Sequence, residues 1–134
     1  MSMVKYFATG LIAVVLSGCD GVIDCLDNDG PVFDKAAIRP AVLNEEYTEI
    51  IRASVNNEPQ DQRFTYLFQL TGQLPAGITT RVAGQQFLFT GTPTETGSYP
   101  LSLFVEVDDG LNAQDSGLCY VNETENYVLV VSEI

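Results

Sequence analysis

From residue 46 onward, apolar and polar side chains alternate with the two-residue period of a half-buried strand. Across Glu46–Val55, Tyr47, Ile51, Ala53 and Val55 fall on one side and Thr48, Arg52 and Ser54 on the other; Ile51 follows the charged Glu49, and Ile50 breaks the pattern. Phe64, Tyr66, Phe68 and Leu70 alternate more cleanly, as do Leu101, Leu103, Val105 and Val107 within Tyr99–Val107. Two shorter runs, Ile78–Val82 and Phe87–Thr90, are separated by Ala83-Gly84, and Cys119–Ser132 reads as a long last strand. With a first strand near Pro31, this predicts about seven short strands punctuated by Gly, Pro and Asn, with no helical period beyond the N-terminal segment. The expected fold is an all-β, antiparallel β-sandwich.

The first thirty residues follow a different pattern. Lys5 precedes an apolar run from Tyr6 to Leu16, which leads into Leu16-Ser17-Gly18-Cys19. A helix of about eleven residues spans roughly 16 Å, well short of the ~30 Å hydrocarbon core of a bilayer, so the run predicts a signal peptide rather than a permanent span. Leu-Ser-Gly-Cys resembles the bacterial lipobox. That resemblance implies removal of residues 1–18 and acylation of the Cys19 sulfur, with diacylglyceryl and palmitate-type chains giving a stable anchor. Residues 19–30 would form a tether and 31–134 the domain. Asp20 resembles the retention signal of enterobacterial lipoproteins, which implies the periplasmic face of the inner membrane.

Composition adds two constraints. The formal charge is −12, and loss of Lys5 with the signal peptide takes it to −13. Such a field repels phosphate backbones and anionic head groups, so no nucleic-acid partner is expected, and membrane contact falls to the lipid alone. With Cys19 acylated, Cys25 and Cys119 are left as an even pair in an oxidising compartment, where a disulfide is the expected outcome. It would close a loop of about 94 residues, a constraint of about 4–5 kcal/mol at most.

Four sequence blocks carry a family resemblance. Leu74-Pro75-Ala76-Gly77-Ile78, Phe89-Thr90-Gly91-Thr92-Pro93, Thr96-Gly97-Ser98-Tyr99 and Val107-Asp108-Asp109-Gly110 occur in the order of the cadherin-like and dystroglycan-like Ig domains of bacteria. The likeness runs from about Pro31 to Val131 and implies an Ig-like, cadherin-like sandwich. Pro and Gly in these blocks set turns, and Tyr99 is placed as a tyrosine corner whose hydroxyl bonds nearby backbone.

Candidate chemistry is sparse. Cys25-Leu26-Asp27-Asn28-Asp29-Gly30-Pro31-Val32-Phe33 resembles a cadherin calcium linker, with Asp27, Asn28 and Asp29 as ligands and Asp61 and Asp108 available to complete an oxygen shell. A solvated turn is the competing reading, and no cofactor other than this calcium is expected. Asp108-Asp109-Gly110 fits a turn better than a hydrolase pair, since adjacent residues at a strand end point to opposite sides. Histidine is absent, and so is any phosphate-cradling or zinc-binding spacing. These features predict a non-catalytic interaction or structural module of the cell envelope with a protein partner. The alternatives are a calcium-binding adhesion module or a glycan-binding one using Phe104, Tyr120 and Tyr127 as exposed aromatics; a hydrolase ranks last.

Overall fold

The computed structural model describes residues 30–56, 58–108 and 121–134. They form eight strands: β1 (Pro31–Phe33), β2 (Ala41–Val42), β3 (Tyr47–Val55), β4 (Thr65–Thr71), β5 (Ile78–Ala83), β6 (Gln86–Gly91), β7 (Gly97–Asp108) and β8 (Asn122–Ser132). One sheet has the order β1-β3-β6-β5 and the other β2-β8-β7-β4. Neighbours are antiparallel except for β2, which runs parallel to β8. The two-sheet sandwich expected from the alternation is therefore present. The strand missing from the sequence reading is β2, whose two residues are too few to show a period.

β3 and β7 bury the side that their alternation selects, whereas β5 buries only Ile78 and leaves Val82 exposed. Ile51, Ala53, Phe89, Leu103, Val105 and Leu129 are all sealed in the space between the sheets. Phe87 lies edge-on to Phe89 at 5.2 Å between ring centres, and Phe68 of the opposite sheet lies 5.6 Å from Phe87, so aromatic rings bridge the layers. Ile50, the break in the β3 pattern, points outward and is paired in register with Leu88, which faces Arg81 on its other side. Leu88 is nonetheless buried, flanked in register by Ile50 and Arg81 of the neighbouring strands.

The β5–β6 hairpin closes through two residues, Gly84-Gln85, with Gly84 at φ +58°. A glycine at the first central position is what a tight hairpin of this twist requires. Gln85 then fastens the tip to the body of the fold. Its side-chain amide donates to the Ala53 carbonyl (3.2 Å) and the Tyr66 hydroxyl (3.1 Å), and its carbonyl oxygen accepts from Arg52 (3.1 Å).

The last strand corrects one expectation. Tyr127 is not an exposed aromatic: it is 2% exposed, faces the core, and donates its hydroxyl to the Lys35 carbonyl at 2.7 Å. Burial, helped by the negative charges of Glu125 and Asp34, pushes its ionisation well above the ordinary tyrosine value. Tyr127→Phe should keep the packing and lose that bond. The expected cost is about 0.5–1.5 kcal/mol, read as a lower urea midpoint with an unchanged slope.

Candidate functional site

Cys19, Cys25, Cys119, Asp27, Asn28, Asp29 and Tyr120 lie outside the described residues. Of the proposed calcium set, Asp61 and Asp108 can be placed. Asp61 begins a 3-10 turn (Asp61–Arg63) between β3 and β4. Its Oδ2 accepts the Val55 N–H at 3.0 Å, and its carbonyl accepts the Tyr66 hydroxyl at 3.0 Å and the Phe64 N–H at 3.1 Å. Asp108 ends β7 opposite Thr65, and Val55 is paired with Pro31. Both aspartates thus sit at the end of the sandwich where β1 begins. Among the described residues, no three Asp, Glu, Cys or His side chains gather as a metal cluster would. Asp61 already has a structural task, since its carboxylate closes the end of β3.

Two of the four sequence blocks behind the family resemblance, Leu74–Ile78 and Phe89–Pro93, meet in space. Gly77 and Gly91 take φ +93° and +135°, and Ile78 pairs with Gly91. The Thr92 N–H donates to the Gly77 carbonyl (3.1 Å), the Thr94 N–H to the Ala76 carbonyl (2.9 Å), and the Ile78 N–H to the Pro75 carbonyl (3.2 Å). Pro75 and Pro93 are fully buried beneath this clasp. These two blocks therefore lock the start of β5 to the end of β6. Tyr99 behaves as a corner residue: its hydroxyl reaches the Thr96 carbonyl at 3.4 Å, a long bond, and its ring covers Gly97.

One polar cluster has no counterpart in the sequence reading. Glu49 occupies an inward position of β3 between Tyr47 and Ile51 and is 6% exposed. Lys35 pairs with Oε1, while the Arg39 N–H donates to Oε2 at 3.0 Å and Arg39 Nε lies 3.7 Å from it. Burial by itself would raise the carboxyl. The Lys35 hydrogen bond, the Arg39 N–H and the two positive charges outweigh it and hold the carboxyl below its ordinary range. Tyr47 adds a bond to the Arg39 carbonyl (2.7 Å) with the guanidinium over its ring at 5.7 Å. These bonds tie Glu49 to Lys35 and Arg39 and so fasten the β1–β2 crossover to β3. The signal available in the sequence was the acid itself, at a position where the alternation calls for an apolar side chain.

Three of the clefts on the described surface bear on the question of chemistry. The first is lined by Lys35, Ala37, Arg39, Thr48, Glu49 and Ile50, the second runs from Thr71 and Gly72 along Pro100–Ser102 to Asn126–Val128, and the third is formed by Leu67, Phe68, Gln69, Phe104 and Glu106. Each has at most one carboxylate, so none offers the facing pair that glycoside hydrolysis uses.

The third cleft borders the most exposed apolar feature of the sheet edges. Among the described residues, β4 is the outer strand of its sheet. Its sequence, Thr-Tyr-Leu-Phe-Gln-Leu-Thr, has no charge and no proline, and Leu67 is 54% exposed on the outer face. The other edges are blunted: β1 has three residues and opens on Pro31, β2 has two, and β5 carries Arg81. Short length, proline and charge are the usual protections of a free edge, and β4 lacks all three.

A first strand divided between two sheets, with β3, β6 and β5 facing β8, β7 and β4, is the layout of an immunoglobulin-like sandwich. The protein is an all-β, Ig-like domain. No protein-family model matches the chain, so the family suggested by the four sequence blocks stays a resemblance. No curated protein matches it either. Among solved structures, an endo-fucoidan hydrolase variant of glycoside hydrolase family 107 is similar, with a TM-score of 0.49 and 15% identity, over 80% of this chain and 14% of that one. A chimeric titin Z1Z2 is similar with a TM-score of 0.48 and 14% identity, over 76% of this chain and 93% of that one. The titin M4 domain gives 0.48 and 10%, over 78% and 98%. The chain thus spans a small part of the hydrolase and nearly all of the titin structures, and at such identities no activity transfers from any of them.

Proposed function

We propose that this chain is a lipid-anchored, non-catalytic interaction module of a bacterial cell envelope, acylated at Cys19 and braced by a Cys25–Cys119 disulfide. The anchor rests on the lipobox-like Leu16-Ser17-Gly18-Cys19 and on an apolar run too short to span a bilayer. The observation that carries the interaction reading is β4: a seven-residue, uncharged free edge with Leu67 exposed beside the Phe104 cleft. Strand addition at such an edge gains main-chain hydrogen bonds for affinity and side-chain contacts for selection.

In a bacterial host, radiolabelled palmitate should label the full chain, and Cys19→Ala should abolish the label. Introducing Leu67→Asp and Gln69→Asp together should release envelope proteins that co-purify with the detergent-solubilised chain while its melting temperature stays the same. Retention of every partner by that variant would sink the edge reading. A second reading has one observation behind it: Phe104 is half-buried on the outer face with Gln69 and Glu106 beside it, an aromatic platform flanked by polar groups such as a sugar ring would meet. Binding on a glycan array that Phe104→Ala abolishes would favour it.

A further inference from the structure

The β4 edge also constrains its own partner. We propose that β4 pairs antiparallel with β4 of a second copy of this chain, about a two-fold axis at Phe68. This rests on reading β4 as the binding edge.

Charge is the first argument. The chain carries formal charge −12, yet no charged residue occurs from Phe64 to Thr80, a run that includes the whole of β4. A basic partner would be drawn to the acidic surfaces elsewhere. A strongly acidic partner can approach closely only where carboxylates are missing, and a second copy is acidic by construction. The nearest acids on this face, Glu106 and Asp108, stand one strand back, in register with Leu67 and Thr65. In the paired sheet, three strand spacings of about 4.8 Å separate Glu106 from its symmetry mate, about 14 Å before the offset along the strand is added. That exceeds the screening length of about 8 Å at physiological salt. The two-fold also brings Glu106 into line with the second copy's Gln69 and Phe104 instead of its Glu106.

Register is the second argument. An antiparallel pairing that uses all seven residues of β4 places Thr65 opposite Thr71, Tyr66 opposite Leu70, Leu67 opposite Gln69, and Phe68 opposite itself. Every one of these pairs is uncharged, and threonine pairs and aromatic or aliphatic pairs are favourable cross-strand neighbours. The two Leu67 side chains become diagonal neighbours about 7–8 Å apart and cover each other's exposed surface. On the inner face, Phe68 and Leu70, both half-buried at the margin of the core, gain the neighbouring strand they lack. Closed two-fold pairing through one self-complementary patch is also the commonest form of homo-oligomer.

The test is photo-crosslinking of the full chain in bacterial membranes, with benzoylphenylalanine in place of Leu67 or of Gln69, and in place of Val128 as a control on the outer face of β8. The expected product is a covalent species of twice the chain mass from the two β4 positions and none from Val128, containing both tags when two tagged copies are co-expressed. With the crosslinker at Gln69, adding Leu67→Lys should cut the dimer yield by roughly tenfold, while the circular dichroism of the folded domain stays the same because Leu67 is exposed within a single copy. An adduct with a protein of different mass would overturn self-pairing while supporting β4 as a binding edge. No adduct from either β4 position would overturn both readings. Equal dimer from Val128 would mark random collision and overturn the pairing.

Discussion

Gly91→Ala is expected to destabilise the domain by roughly 2–6 kcal/mol, the sum of a backbone held where only glycine is comfortable and a collision that the surroundings cannot relieve. Gly91 has φ +135°, and a Cβ there would run into the carbonyl oxygen and carbon of Gly77, which are main-chain atoms fixed by the Thr92 hydrogen bond. Gly77 meets the same obstacle from the other side, at the Thr92 carbonyl. Because small domains are stable by about 5–15 kcal/mol, the melting temperature should fall by on the order of 10–20 °C. Gly84→Ala is the internal comparison, since Gly84 also has positive φ but open space where a Cβ would go. Its cost should be about 1 kcal/mol. Equal melting temperatures for the two variants would show that the interlocked turns add nothing beyond the cost of a positive φ.

Glu49→Ala is expected to cost about 1–3 kcal/mol. Removing one member of a fully buried ion pair costs more, but the Lys35 and Arg39 side chains are 36% and 65% exposed and can return to water. The loss that remains is the Arg39 N–H without its acceptor and the space left beside Tyr47. The pH dependence has a definite sign. The Glu49 carboxyl titrates below its ordinary value of 4.5 when folded, so its contribution is fully present above about pH 4.5 and drains away as the pH falls through the folded value. Melting temperature should therefore drop more steeply on acidification for the native chain than for Glu49→Gln. Parallel curves below pH 4.5 would show that the cluster does not hold the carboxylate ionised.

What could be read from the sequence followed from where the period of two is unambiguous. Leu101, Leu103, Val105 and Val107 share one parity with polar or half-covered neighbours on the other, and the structure buries all four. In Tyr127-Val128-Leu129-Val130-Val131 both parities are apolar, so alternation does not choose between Tyr127, Leu129 and Val131 inside and Val128 and Val130 outside. The pairing with β7 chooses, and that is how Tyr127 could be read as exposed when it is core. The sequence reading marked Ile50 as the break in β3 and passed over Glu49, whose partners Lys35 and Arg39 come from a crossover with no period, joined to it only by the fold. The turn blocks were legible as turns, whereas their mutual contact depends on the register of β5 against β6. The unprotected edge of β4 has the same character: its sequence is local, and its place at the outside of a sheet is not.

The parallel pairing of β2 with β8 has a mechanical consequence. Described chain enters the sandwich at the end marked by Pro31, Val55 and Asp108 and leaves by β8 at the opposite end, beside Gly97. Tension between those two ends acts along the strands and drives β2 and β8 past each other lengthwise. Ala41 paired with Val131, Val42 paired with Ser132, and the Leu43 N–H bonded to the Ser132 carbonyl at 2.8 Å then bear the load at the same moment instead of opening one by one. Two residues of strand thus set β2 and β8 in a shear arrangement, in which their hydrogen bonds lie across a pull along the strands instead of in line with it.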